Sequence, residues 1–111
     1  MLEELTGNRS ARQVLLDLFH HGENHASGIA RDFNVAVTPI RAQLDRLEGA
    51  GVLVSKEVGR ARLYRFNPKS PYTRPLKEIV RIEYESIPRS ERQRIFRIRR
   101  RPRRKGKPVS R

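Results

Sequence analysis

Apolar residues recur along this chain with two different periods, and the change from one to the other divides it into elements. Val14, Leu15, Leu18 and Phe19 share one face at helical spacing, so a first helix is expected there, opened by the capping-box pair Ser10 and Gln13 and ended by Gly22. A short second helix is expected from about Ser27 to Phe33, burying Ile29, Ala30 and Phe33, with Asn34 closing it in the left-handed conformation. Thr38-Pro39 then reads as a helix start, with threonine as the cap and proline where no N–H is needed. Ile40, Leu44 and Leu47 form the apolar stripe of that helix. Gly49 and Gly51 interrupt the pattern, and the β-prone runs Val52 to Val58 and Ala61 to Phe66 follow, joined by a Gly59-Arg60 turn. Leu53, Tyr64 and Phe66 are expected to face the helices, and residues near Asn24 to Ala26 to add a minimal third strand.

Past Asn67-Pro68 the period becomes helical again. Leu76, Ile79, Val80, Tyr84 and Ile87 fall on one face between Thr73 and Pro88. A core this small has little left to cover such a stripe, which implies a dimerisation helix whose interface is made by those five residues. Ser90 and Gln93 form another capping box, so a further helix carrying Ile95, Phe96 and Ile98 is expected to about Arg100. Beyond Pro102 the only apolar residue is Val109, and a segment of that composition is expected to be disordered when unbound. The fold class is therefore mainly α with a small β-hairpin: a winged helix-turn-helix at 7–68, a helical dimerisation extension at 72–100 and a basic tail at 101–111.

A helix-turn-helix followed by a hairpin with a basic tip points to double-stranded DNA. The helix beginning at Thr38 is fixed by its apolar stripe and offers Thr38, Pro39, Arg41, Ala42, Asp45 and Arg46 on its other side, short polar and cationic groups of the kind a major groove accepts. Lys56, Arg60 and Arg62 of the hairpin are expected to touch phosphates or the minor groove, and Arg65 is left to solvent or phosphate. The distribution of charge supports a division of labour. The net charge is +13, but twelve Lys and Arg against the single acid Glu91 put +11 of it on residues 88–111, leaving +2 for residues 1–87. A nearly balanced folded part would choose the site, and Arg101, Arg103, Arg104, Lys105, Gly106 and Lys107 of the tail would hold the chain on the polyanion.

Other chemistries find little support. At 111 residues there is no room for a separate ligand-sensing domain of ordinary size, so regulation would act through the small domain, its dimer contacts or a partner. The absence of cysteine excludes disulfides, thiolate metal sites and thiol switches. No apolar run reaches the roughly 18 residues of a membrane span, and the N-terminus lacks a basic region followed by an apolar one, so a soluble, cytoplasmic protein is expected. His20, His21 and His25, with Glu23 nearby, do not have the spacing of a preset tetrahedral site, and are expected to be helix-terminal histidines favoured by the dipole; no metal and no cofactor is expected. No phosphate-binding glycine loop, nucleophile elbow or suggestively spaced carboxylate pair is present, and Glu78, Glu83 and Glu85 read as ion-pair partners of Lys77 and Arg81 rather than as catalytic groups.

Three resemblances sharpen these expectations. Within Val35 to Leu53 the run V-A-V-T-P-I-R-A-Q-L-D-R-L-E-G-A-G-V resembles the recognition segment of GntR-type regulators, V-S-R-T-P-V-R followed by leucines at helical spacing and Gly-Leu. That likeness implies DNA-facing roles for Thr38 and Arg41; Ala36 and Val37 stand where the motif has Ser and Arg. Over Gly7 to Ile87, about three quarters of the chain, the opening G-N-R-S-A-R-Q-V-L-L-D-L-F-H-H-G, the A-S-x-I-A-R helix, the R-x-Y-R-F-N strand end and the P-x-x-x-P-L-K-E-I-V helix are similar to ArsR-like winged-helix proteins, including those encoded beside or fused to minimal nucleotidyltransferases. This implies a dimeric DNA-binding repressor or activator with terminal helices in the dimer interface; metal-sensing members use Cys or His ligands, and the cysteines are missing here. Arg103 to Pro108 resembles an AT-hook, with Lys105 and Lys107 in place of the arginines that flank its glycine, which implies minor-groove contact. The expectation is thus a homodimeric, sequence-specific transcriptional regulator that is not an enzyme. The alternatives are an antitoxin-like or adaptor module whose partner is a protein, and a nucleoid or RNA-binding protein acting mainly through its tail.

Overall fold

The computed structural model describes residues 1–96. The expected continuation of the last helix to Arg100, with Ile98, and the tail residues Arg101, Arg103, Arg104, Lys105, Gly106 and Lys107 lie outside the described residues. Within them the order is α1 (Leu2–Thr6), α2 (Arg9–His21), β1 (Glu23–Asn24), α3 (Ala26–Phe33), α4 (Val37–Gly49), β2 (Leu53–Val58), β3 (Ala61–Phe66), α5 (Thr73–Ser86) and α6 (Arg89–Phe96). The architecture is mainly helical with one small antiparallel sheet of order β1-β3-β2.

The caps differ from the expected ones in instructive ways. Asn8 rather than Ser10 caps α2: it is extended (φ −157°, ψ 124°) and its side-chain oxygen accepts from the Ala11 N–H at 2.9 Å. Asparagine caps as well as serine does, and the earlier start adds Arg9 and Ser10 to the helix. His25 caps α3 by accepting the Gly28 N–H on Nδ1 at 3.1 Å, and Asn34 closes that helix at φ 56°, as its sequence position implied. Ala36 occupies the capping position of α4 without a side-chain bond, so Thr38 is not a cap. It stands second in the helix and Pro39 third, still in the first turn, where the missing N–H has no intrahelical acceptor to lose. Gly51, at φ 83°, then turns the chain back, and the Val52 N–H reaches the Leu47 carbonyl at 3.1 Å.

The β2-β3 hairpin is closed by Gly59 and Arg60, with Val58 opposite Ala61 and only Gly59 at positive φ. A glycine first in a two-residue loop is what a turn matched to the strands' twist requires. The register sets Leu53 opposite Phe66, Ser55 opposite Tyr64 and Glu57 opposite Arg62 on one face, with Val54, Lys56 and Val58 on the other. β1 adds Glu23 opposite Arg65 and Asn24 opposite Tyr64, one residue earlier than the third strand was expected.

A single apolar cluster runs from Leu2 to Phe96 and takes in Val14, Leu15, Leu18, Ile29, Ile40, Leu44, Leu53, Val80 and Ile87. Residues 72–96 are therefore built into the same core as residues 7–68. Of the five side chains expected at a dimer interface, Val80 and Ile87 are buried within the chain itself, Leu76 and Tyr84 pack against its core, and Ile79 is exposed. The cover comes from α2, through Arg12 and Phe19, and from two elements at opposite ends of the described chain. One is α1, which the periodicity did not announce; the other is Phe96 of α6. Tyr72, Ile79 and Ile82 lie at the surface on the adjoining side of α5.

Glu83 ties these parts together. Its carboxylate accepts from Arg12 Nε at 2.8 Å and from the Leu2 N–H at 3.3 Å, while only 13 % of the side chain is exposed. The Arg12 hydrogen bond, foremost, holds the Glu83 carboxyl below the ordinary carboxylate value, against the opposing effect of burial. A depressed folded-state value contributes stability that is present above the unfolded carboxylate range and lost as pH falls through the folded value. Glu83→Gln is thus expected to cost about 1.5–2 kcal/mol at neutral pH. Urea unfolding followed across pH should show that deficit shrinking as the medium becomes more acidic; a deficit independent of pH would contradict the assignment.

Candidate nucleic-acid interface

Ile40 and Leu44 of α4 are fully buried, and their burial fixes which side of the helix faces out. Thr38, Pro39, Arg41, Ala42, Asp45 and Arg46 are all exposed. Helical spacing divides them further. Thr38, Ala42 and Arg46 lie outermost, Pro39 lies towards one flank, and Arg41, Asp45 and Glu48 follow the flank that meets the hairpin.

That flank carries a polar network. The Tyr64 hydroxyl donates to Asp45 Oδ1 at 3.4 Å, the Ser55 hydroxyl donates to Glu48 Oε2 at 2.6 Å, and Arg62 Nη1 donates to Ser55 Oγ at 3.0 Å. Arg62 Nη2 also meets Glu57 Oε2 at 2.9 Å. Burial first, then the Asp45 and Glu48 charges, push the Tyr64 phenol above its ordinary value, so it remains a hydrogen-bond donor at neutral pH. Asp45 and Glu48 consequently do more than face outward: they join α4 to the hairpin, while Arg62 braces Ser55 and Glu57 within it.

The remaining cations are differently placed. Arg46 Nε donates to Gln43 Oε1 at 2.8 Å, which steadies its stem along the helix. Arg41 has no hydrogen-bond or ion-pair partner among the described residues. Arg60 sits exposed at the hairpin tip, and Lys56 projects from the face opposite Arg62, paired across the strands with Leu63. The three wing cations named from sequence thus split into one at the tip, one on the outer face and one bonded to Ser55 and Glu57 within the hairpin. Sequence reasoning missed Ser55 and Glu48, whose connection spans two elements and leaves no local signature. It also passed over Lys69 and Arg74, and read Lys77 only as an ion-pair partner; the three line a surface cavity of about 650 Å³ with Pro68 and Glu78 where α5 begins.

The histidines serve separate ends. His20 Nδ1 lies 2.7 Å from the Tyr84 hydroxyl, and its ring stacks on Phe96 at 4.2 Å and 11°. His25 is the α3 cap, and His21 turns towards Asp32. Among the described residues no helix is long and apolar enough to cross a membrane. Comparison with protein-family models, with curated proteins and with solved structures gives no match for this chain.

Proposed function

We propose that the chain is a winged helix-turn-helix regulator that binds double-stranded DNA in a sequence-specific manner as a homodimer, in the manner of the ArsR-like proteins its sequence resembles. The observation that carries this reading is the exposed row Thr38, Arg41, Ala42 and Arg46 on a helix locked to a basic-tipped hairpin through Tyr64–Asp45 and Arg62–Ser55–Glu48. In this reading α3 and α4 are the helix-turn-helix pair and α4 enters the major groove. Arg41 and Arg46 supply planar donor forks to guanine edges or phosphates, and Thr38 and Ala42 are short enough to meet thymine methyl groups. Arg60 reaches the flanking backbone or minor groove, while Asp45 and Glu48, bonded to Tyr64 and Ser55, hold the reading helix against the hairpin. Repression by occupancy of the bound site is the simplest regulatory outcome.

The second subunit would be met by the exposed side of α5, Tyr72, Ile79 and Ile82, instead of by Val80 and Ile87. A protein partner on that same surface is the adaptor reading.

Selection from random duplexes tests both parts together. The wild type should return an inverted repeat with half-sites about one helical turn apart. Arg41→Ala/Arg46→Ala should lose preference for it by about 1–3 kcal/mol for each base contact removed, with its unfolding unchanged because both side chains are exposed. A single half-site would refute the dimer, and an undiminished preference in the double variant would refute the reading helix.

A further inference from the structure

At the end of α2 two side chains one helical turn apart, Asp17 and His21, meet Asp32 from the end of α3. One ligand atom from each lies within 4.8 Å of the others. We propose that these three residues form a site for a divalent transition-metal ion of the zinc class, bound through one imidazole nitrogen and two carboxylates and completed by water.

The spacing fits such an ion. His21 Nε2 is 3.1 Å from Asp32 Oδ2 and 3.9 Å from Asp17 Oδ1. Ligand atoms held tetrahedrally on bonds of roughly 2.0–2.1 Å stand about 3.4 Å apart, so the two separations bracket the required one and small side-chain rotations seat the metal. Burial supplies the driving force. Both aspartate side chains are 0 % exposed, and a carboxylate taken out of water is costly unless positive charge and hydrogen bonds compensate it. The second oxygen of the carboxyl that meets His21, Asp32 Oδ1, is itself buried and has no hydrogen-bond partner among the described residues. A buried acceptor left over beside a convergent carboxylate and imidazole is an independent sign that the cluster is built to receive a cation.

An outer layer orients the ligands. Asn24 is fully buried; its Nδ2 donates to Asp17 Oδ1 at 2.8 Å, and its Oδ1 accepts from the His25 N–H at 2.8 Å. Gly28 makes room for this, since a Cβ there would come within 2.4 Å of Asn24 Oδ1. Such outer hydrogen bonds fix ligand orientation in metal sites. The donor set selects the ion: a nitrogen with two oxygens suits Zn(II), Co(II) or Ni(II), whereas Ca(II) takes 6–8 oxygens and copper(I) takes sulfur. His21, 15 % exposed, marks the side open to water. Once bound, the ion would clamp α2 to α3 immediately before Asn34 turns the chain into α4. The site stands on its own geometry, whatever α4 recognises.

Titration of the chelator-treated, tag-free full chain with Co(II) tests it. The expected result is one Co(II) per chain with the intense visible absorption of a four-coordinate centre, bleached by an equivalent of Zn(II). Asp32→Asn and His21→Gln should each weaken binding by on the order of 100-fold, while His20→Gln leaves it unchanged. Zn(II) should raise the unfolding temperature of the wild type and not of Asp32→Asn. Absence of the four-coordinate signal in the wild type overturns the proposal whether or not the variants fold. So does a signal of equal affinity in a folded Asp32→Asn chain. A folded wild type with no response to Co(II) would reassign the cluster as an internal His21–Asp32 contact.

Discussion

Phe96→Ala is expected to destabilise the fold by about 3–5 kcal/mol, which would consume much of the roughly 5–15 kcal/mol that holds a domain of this size together. Phe96 is 1 % exposed and closes an aromatic layer. His20 stacks on it, Phe33 meets it edge-on at 5.7 Å and 89°, and His21 meets it at 5.7 Å and 86°. Tyr84 completes the layer at 6.2 Å. The ring therefore joins α6 to α2, α3 and α5 at once. Its truncation leaves a cavity whose walls come from three separately anchored helices, so collapse to fill it is restricted. Urea unfolding monitored by circular dichroism measures the loss. A change below about 1 kcal/mol would show that α6 can leave the core without consequence, contrary to the packing described.

Removing residues 101–111 is the second large effect, and it concerns binding instead of folding. The segment contributes six cations, Arg101, Arg103, Arg104, Lys105, Lys107 and Arg111. Each phosphate neutralised adds about 0.9 to the slope of log affinity against log salt. Truncation should lower that slope by as much as about 5, weaken binding most at low salt, and leave the preferred sequence largely intact. The contrast with Arg41→Ala/Arg46→Ala is diagnostic, because those substitutions should alter preference far more than slope. Gel-shift series over a range of salt concentrations separate the two. An unchanged slope in the truncated chain would exclude the tail as an anchor. Loss of all specific duplex binding on truncation, with the helix variant unaffected, would favour the nucleoid or RNA-binding alternative.

Local chemistry made a good part of the fold legible in the sequence. Asn34 declares a left-handed helix end, Gly59 declares a tight turn, and alternation in Leu53 to Phe66 declares which hairpin face is buried; each signal is complete within a few residues. The caps were harder, because Asn8 and Ser10 are both competent and stand two residues apart, so the local sequence fits either. Coverage of α5 was not legible. Leu2 and Phe96 reach it from the two ends of the described chain, and Arg12 reaches Glu83 across 71 positions. The same limit applied to the candidate sites. Exposure of Thr38, Arg41, Ala42 and Arg46 follows from the stripe of Ile40 and Leu44. The engagement of Asp45 with Tyr64, and of Glu48 with Ser55, depends on how a hairpin docks. Asp17 and His21 stand one turn apart in plain view, yet without Asp32 they form only a pair. Attention to the neighbouring histidines, His20 and His25, pointed away from it.

The two-residue turn at Gly59-Arg60 has a bearing on how this chain can vary. Because strand side chains alternate, adding a single residue to either arm of the hairpin would send Tyr64 or Ser55 to the wrong face, separate one of them from Asp45 or Glu48, and bring an outer-face residue such as Lys56 into contact with α4. Paired insertions at the tip preserve the alternation and move only Arg60. The length of this hairpin is therefore free to drift in steps of two, and a lineage could lengthen its reach towards a ligand while the docking angle of α4 stays inherited.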